Sequence, residues 1–264
     1  MTTAGTSAPG RASIAAKTQR TDLWWREPTI TAAVLIAFVA YSTYAAFINR
    51  SYFYEPYISP FYSPCLATKC ADVGAPHLGI FGSWWPLSPA IIVLIFPLGF
   101  RLTCYYYRKS YYRSIWRSPS ACGVPESRKN YSGETRFPLI LQNVHRYFFY
   151  FGLVLNVILT ADAVYGFKNH QGQWGHMGLG TVVLLVNAFL LWTYSLSCHS
   201  CRHAVGGRLN HFSKHPIRYW MWTQVSKLTA KHMQIAWTSL VFVALTDLYV
   251  RLVASGTITD LRFF

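Results

Sequence analysis

The sequence predicts an all-α integral membrane protein, a bundle of five transmembrane helices with a cytoplasmic N-terminus and an external C-terminus. Three observations carry that reading. Hydrophobic residues make up 52% of the 264 and charged residues only 12%, about half the charge of a soluble globular domain. Residues 29–48, 87–106, 138–165, 175–197 and 228–253 are apolar for long enough to cross the ~30 Å hydrocarbon core as helices. Most of the 24 Lys and Arg precede the first stretch or lie in the second-to-third and fourth-to-fifth connections, while Arg50, Lys69, Lys168, Arg251 and Arg262 fall on the other side. The side rich in Lys and Arg is the cytoplasmic one. The net charge of +15 is thereby mainly a topological signal, with room for a partner on the cytoplasmic face. It calls for no nucleic acid.

In chain order, residues 1–22 are rich in Ala, Thr, Ser and Gly without an apolar core, which predicts a disordered cytoplasmic tail rather than a signal peptide. Residues 23–264 then form one membrane domain. Trp24 and Trp25 anchor the cytoplasmic interface, and Pro28 suits the first turn of the first span. An external insert of about residues 49–86 reads as irregular and proline-rich. Its Cys65 and Cys70 are five apart on the oxidising side, which predicts a disulfide, with metal binding alongside His77 the weaker reading. Trp84 and Trp85 mark the outer interface. The second span carries Pro97, an expected kink, and ends near Cys104, read as a buried unreactive thiol. A basic cytoplasmic loop of about residues 107–137 holds Cys122. The third span carries His145 and Arg146 about two turns in and Asp162 towards its other end. His176 opens the fourth span. A second cytoplasmic loop, about residues 199–227, includes His211, His215 and the aromatic run Tyr219, Trp220 and Trp222. The fifth span has His232 about one turn in and Asp247 further out. Asp162, His176 and Asp247 read either as proton carriers or as solvated groups.

The chemistry concentrates in residues 195–203, Ser-Leu-Ser-Cys-His-Ser-Cys-Arg-His, where an apolar helix ends. Cys198 and Cys201 are three apart and share a helix face. The predicted topology brings His145, His232 and His203 to the same depth. Two cysteines and two histidines are the donor set of a Rieske-type [2Fe–2S] centre and equally of structural zinc. A Cys-x-x-Cys also serves as a redox dithiol, and the bland alternative is a set of buried thiols and interfacial imidazoles with no metal. The expected ligands are Cys198, Cys201, His145 and His232, with His203 as the alternative histidine. One b-type haem between His145 and His232 is a further reading, as is a zinc-stabilised membrane scaffold without redox chemistry. There is no glycine-rich phosphate loop, flavin fingerprint or serine nucleophile motif, so substrate chemistry is not expected on this chain.

Five spans, the aromatic insert, His145, the run from Cys198 to His203, and His232 together resemble the membrane-anchor subunit of actinobacterial succinate dehydrogenases, from about Leu23 onward. The resemblance implies a subunit of an oxidoreductase complex in the cell membrane, non-catalytic in itself. Its implied partners are a flavoprotein subunit, an iron–sulfur subunit and a small helical membrane subunit. It implies electrons passing from succinate through FAD and iron–sulfur clusters to menaquinone, with a Rieske-type [2Fe–2S] cluster in this subunit. Relatives with two b haems take a histidine from each of four helices; the first two spans here have none. A quinone pocket is expected at the aromatic cytoplasmic rim, with Arg146, Tyr219 and Trp220 as candidates. The direction of the reaction and a higher-order oligomer of the complex stay open.

Overall fold

The computed structural model describes residues 20–125, 136–137, 139–169 and 171–264. The expected tail, but for its last three residues, lies outside them, as do the start expected for the third span at Pro138 and residues 126–135 of the basic loop. Helix α1 is Arg26–Ile48. A two-residue hairpin follows, β1 (Phe53–Tyr54) antiparallel to β2 (Tyr57–Ile58). Then come α2 (Pro89–Leu102), α3 (Tyr105–Tyr111), α4 (His145–Tyr165, led by a 3-10 turn at Leu139–Val144), α5 (Leu179–Leu196), α6 (His199–Gly206), α7 (Pro216–Thr229) and α8 (His232–Ala254).

Four of these spans, α1, the 3-10 turn with α4, α5 and α8, are each long and apolar enough to cross a membrane. They expose large apolar side chains outward, among them Ile36, Val39 and Phe47 on α1, Val154 and Val157 on α4, and Phe189 on α5. Such faces suit lipid and would be a liability in water. A fifth span is broken: Pro89–Leu102 and Tyr105–Trp116 meet at 81°. Here the structure departs from the expected straight run with a kink at Pro97. Pro97 stays inside α2, and the chain turns at Thr103 and Cys104, where Cys104 takes extended backbone angles. The turn is held by tertiary bonds. Tyr107 donates from its hydroxyl to Ala236 O at 2.5 Å, and Arg101 donates to Ser239 Oγ at 3.3 Å. Both anchors lie on α8.

The long helices alternate in direction, so their ends fall into two sets. At one end the insert folds over the bundle and is far better packed than its composition suggests: Tyr52, Tyr57 and Tyr62 are fully buried, Tyr52 stacks on Tyr62 at 3.9 Å, and a disulfide joins Cys65 to Cys70. Three carboxylates tie it down. Asp247 of α8 accepts from Ser59 and Asp162 of α4 from Ser63. Asp260, beyond α8, accepts from Tyr57 at 2.8 Å. Asp247 also pairs with Arg251 at 2.8 Å and accepts from Tyr41 of α1 at 2.6 Å. Asp162 and Asp247 are thus committed to structural bonds, while His176 lies 3.3 Å from the Asn169 side-chain amide.

Between α2 and α4 the approach is close. A Cβ on Gly99 would lie 2.3 Å from the Phe148 ring, and one on Gly152 3.1 Å from Phe100. Small residues at such crossings let helix backbones come near one another, which sets where the far end of α2 meets the start of α4.

Candidate metal centre

At the end away from the insert, four chain breaks meet: α2 into α3, the start of α4, α5 into α6, and the start of α8. The two breaks that follow a span share one local sequence, Leu102-Thr103-Cys104 and Leu196-Ser197-Cys198. Each cysteine is the extended residue that caps the next short helix. Each of the two partner histidines, His145 and His232, is the first residue of a long helix. They sit at the very start of the α-helices, not one or two turns in as the sequence suggested. The preceding turn of the third span is 3-10, and α7 claims the residues expected to open the fifth.

The contacts cross between the two breaks. His145 Nε2 lies 3.2 Å from Cys198 Sγ, while His145 Nδ1 lies 2.8 Å from Thr103 Oγ1. His232 Nε2 lies 3.5 Å from Cys104 Sγ, while its Nδ1 lies 2.7 Å from Ser197 Oγ. Each hydroxyl has one proton, and each donates it to a backbone carbonyl one helical turn back, Thr103 to Gly99 O at 2.7 Å and Ser197 to Tyr194 O at 2.9 Å. Both hydroxyls therefore accept from Nδ1–H. That fixes each imidazole in the tautomer whose Nε2 lone pair is free and faces sulfur.

Cys104, Cys198 and His232 are almost fully buried. Phe100 stacks on His145 with centroids 5.0 Å apart, and Tyr194 stacks on His232 at 5.2 Å. Burial pushes the Cys198 thiol up to about 12 and raises Cys201 as well. Both are neutral thiols at pH 7.

Of the residues singled out in the sequence, the structure brings Cys198, His145 and His232 together. Cys201 is buried in the same apolar cluster one turn along α6. His203 is elsewhere: it is exposed, 3.0 Å from the Arg146 guanidinium. The two flank an open cleft of about 490 Å³, with His199, Arg202 and Trp222 also on its wall. Tyr219 stacks with Trp222 at 5.9 Å, and Trp220 is 63% exposed on α7. Cys104 is the residue that sequence reasoning passed over. The repeated Leu-Thr/Ser-Cys at two span ends would have flagged it.

Thiols and imidazoles are the donor types of zinc and iron–sulfur sites. Each imidazole faces one thiol through Nε2 and is held by a hydroxyl at Nδ1, the way a metal-binding histidine is commonly oriented. Among the described residues no three such side chains are grouped to hold a single ion. The four stand instead as two Cys–His pairs.

The family model described as "Actinobacterial succinate dehydrogenase subunit SdhC" matches residues 26–256. The chain is also similar to one in the solved "Mycobacterium smegmatis Sdh1 complex in the apo form", with 54% identity, a TM-score of 0.87, and coverage of 97% of this chain and 98% of that one. No curated protein matches it. A multi-pass helical bundle, matched over nearly its whole length, thus belongs to the actinobacterial SdhC family, the membrane-anchor subunit of succinate dehydrogenase.

Proposed function

We propose that this subunit carries electrons from the iron–sulfur subunit of its complex to menaquinone through a [2Fe–2S] cluster held by Cys104, Cys198, His145 and His232. The observation that carries the proposal is the crossed pair of Cys–His contacts, with both Nδ1 atoms already engaged. Such a centre, when bound, supplies one-electron transfer at a potential raised by imidazole ligation relative to an all-cysteine cluster. The chain's own residues do the rest. Thr103 and Ser197 orient the rings, Phe100 and Tyr194 exclude water, and the α2–α3 and α5–α6 breaks deliver the sulfurs. Cys201 is the alternative sulfur ligand, one turn away on α6.

The Lys and Arg distribution supports placing the centre's end at the cytoplasmic side, with N-terminus inside and C-terminus outside. There it faces the iron–sulfur subunit, beyond which lie the flavoprotein and, as the resemblance implies, a small helical subunit. The cleft beside Arg146 and His203 is the candidate quinone approach, with Trp222 rather than Trp220 on its wall.

The test is the purified complex carrying Cys104→Ser, Cys198→Ser or Cys201→Ser, assayed for iron, acid-labile sulfide, zinc and the paramagnetic signal. Loss of signal and sulfide in the first two with retention in the third is expected. Zinc without sulfide in the wild-type complex, or a b-type haem band with the cysteine variants unaffected, would overturn the proposal.

A further inference from the structure

The two halves of the insert behave differently. The first, through Cys70, is the packed part that carries the buried tyrosines. The second, residues 73–87, reads Val-Gly-Ala-Pro-His-Leu-Gly-Ile-Phe-Gly-Ser-Trp-Trp-Pro-Leu and holds no Asp, Glu, Lys or Arg. There Leu78, Ile80 and Trp84 are 67%, 65% and 68% exposed, and Val73 and Leu87 are exposed as well. So many large apolar side chains turned outward in one uncharged stretch form a patch of the kind that marks an interaction surface.

This stretch is pinned to the packed half. Leu78 N–H donates to Cys65 O at 2.9 Å and Ala75 N–H to Cys70 O at 3.0 Å, so two of its bonds end on the disulfide-linked residues themselves. Phe81 N–H donates to Leu66 O and Phe81 O accepts from Thr68 N–H, each at 2.9 Å. Phe81, Trp84 and Trp85 pack ring against ring, with centroids 5.5 to 6.1 Å apart. Lys69 Nζ donates to Pro86 O at 2.8 Å. The patch is thus held in one place, directly ahead of α2. That helix continues it: Ile95, Leu98 and Leu102 are exposed and share one helix face.

This continuity with a span decides what covers the patch. The outward face of α2, half of the broken fifth span, suits acyl chains, and the patch sits where that face leaves the bundle. A protein-docking surface carries a polar rim. This stretch offers only His77, whose Nδ1 lies 3.2 Å from Ala75 O, and Ser83. Exposed Trp beside a span end belongs at the headgroup boundary. The bonds to the disulfide loop also lower the cost of bringing irregular backbone against hydrocarbon. We propose that residues 73–87 are an interfacial membrane anchor. Leu78, Ile80 and Trp84 enter the upper acyl region of the leaflet on the insert's side, the Cys65–Cys70 disulfide braces them there, and together they set the height at which α2 begins. The anchor depends neither on the metal centre nor on which side of the membrane the insert faces.

The experiment is spin labelling of the complex in vesicles of phosphatidylcholine and phosphatidylglycerol, with Cys122→Ser removing an exposed native thiol and identically treated unmutated complex as the blank. A nitroxide at Ile80→Cys is compared with one at Val154→Cys, on the outward face of α4, and one at Gln171→Cys, in the turn between α4 and α5. Relaxation by oxygen, which concentrates in acyl chains, is measured against relaxation by a water-soluble nickel chelate. Oxygen should dominate at position 80 as at 154, with the reverse at 171. Nickel dominance at 80 overturns the proposal. Weak relaxation by both reagents overturns it too, because a partner protein then covers the patch. In Cys65→Ser/Cys70→Ser the balance at 80 should shift toward the value at 171, and an unchanged balance overturns the role given to the disulfide. If that variant fails to assemble, the measurement with the disulfide intact decides alone.

Discussion

Asp247 offers the sharpest test of how the insert is held. Its side chain is fully buried, and it serves three segments at once: Arg251 one turn on in α8, Tyr41 of α1 and Ser59 of the insert. Arg251 in turn donates to Ala45 O and Arg50 O, each at 2.8 Å, and so clasps the end of α1. Replacing Asp247 with Ala leaves that guanidinium largely buried without its counter-charge. Breaking one side of a buried ion pair costs about 3–5 kcal/mol, and the two hydroxyls lose the same acceptor, so about 4 kcal/mol is a fair central value. Since each 1.4 kcal/mol is a factor of ten, local opening of the insert should become roughly a thousandfold more frequent. The assay is amide hydrogen exchange of the complex, read at Ser59 and Tyr62, whose amides bond to Tyr52 O and Ser59 O. In Asp247→Ala/Arg251→Met much of the lost protection should return, because the stranded charge is then gone. Wild-type exchange rates in Asp247→Ala, or a double variant as poorly protected as the summed singles, would refute this account.

Three further expectations follow from the geometry. Thr103→Val and Ser197→Ala each free one imidazole to turn or change tautomer, and should weaken metal retention about 10- to 100-fold, read as iron lost to a chelator over time; equal retention would show the hydroxyls to be incidental. Gly99→Ala places a methyl into the Phe148 ring and should destabilise by about 1–3 kcal/mol through overpacking, visible as a lower Tm; an unchanged Tm would mean that α2 and α4 can part without cost. Gln171→Cys, exposed in the turn between α4 and α5, should react with a membrane-impermeant maleimide in intact cells, whereas labelling confined to inverted vesicles would reverse the proposed orientation.

The sequence alone determined the class, the number of spans and three of the four clustered side chains. Apolar runs of the right length are local properties, and the cost of unpaired backbone in lipid leaves them little choice but helix. Cys198, His145 and His232 were legible as a group because span ends on one side must lie at one depth. Only the tertiary structure revealed Cys104. Its approach to His232 depends on the 81° turn after α2, and that turn is held by Arg101 and Tyr107 reaching α8, contacts more than a hundred residues apart in sequence. The same holds for the partners of Asp162 and Asp247, which the insert supplies by folding back over the bundle. Where a side chain's role is decided by its own helix, periodicity reveals it; where it is decided by which distant segment arrives beside it, only the packed chain does.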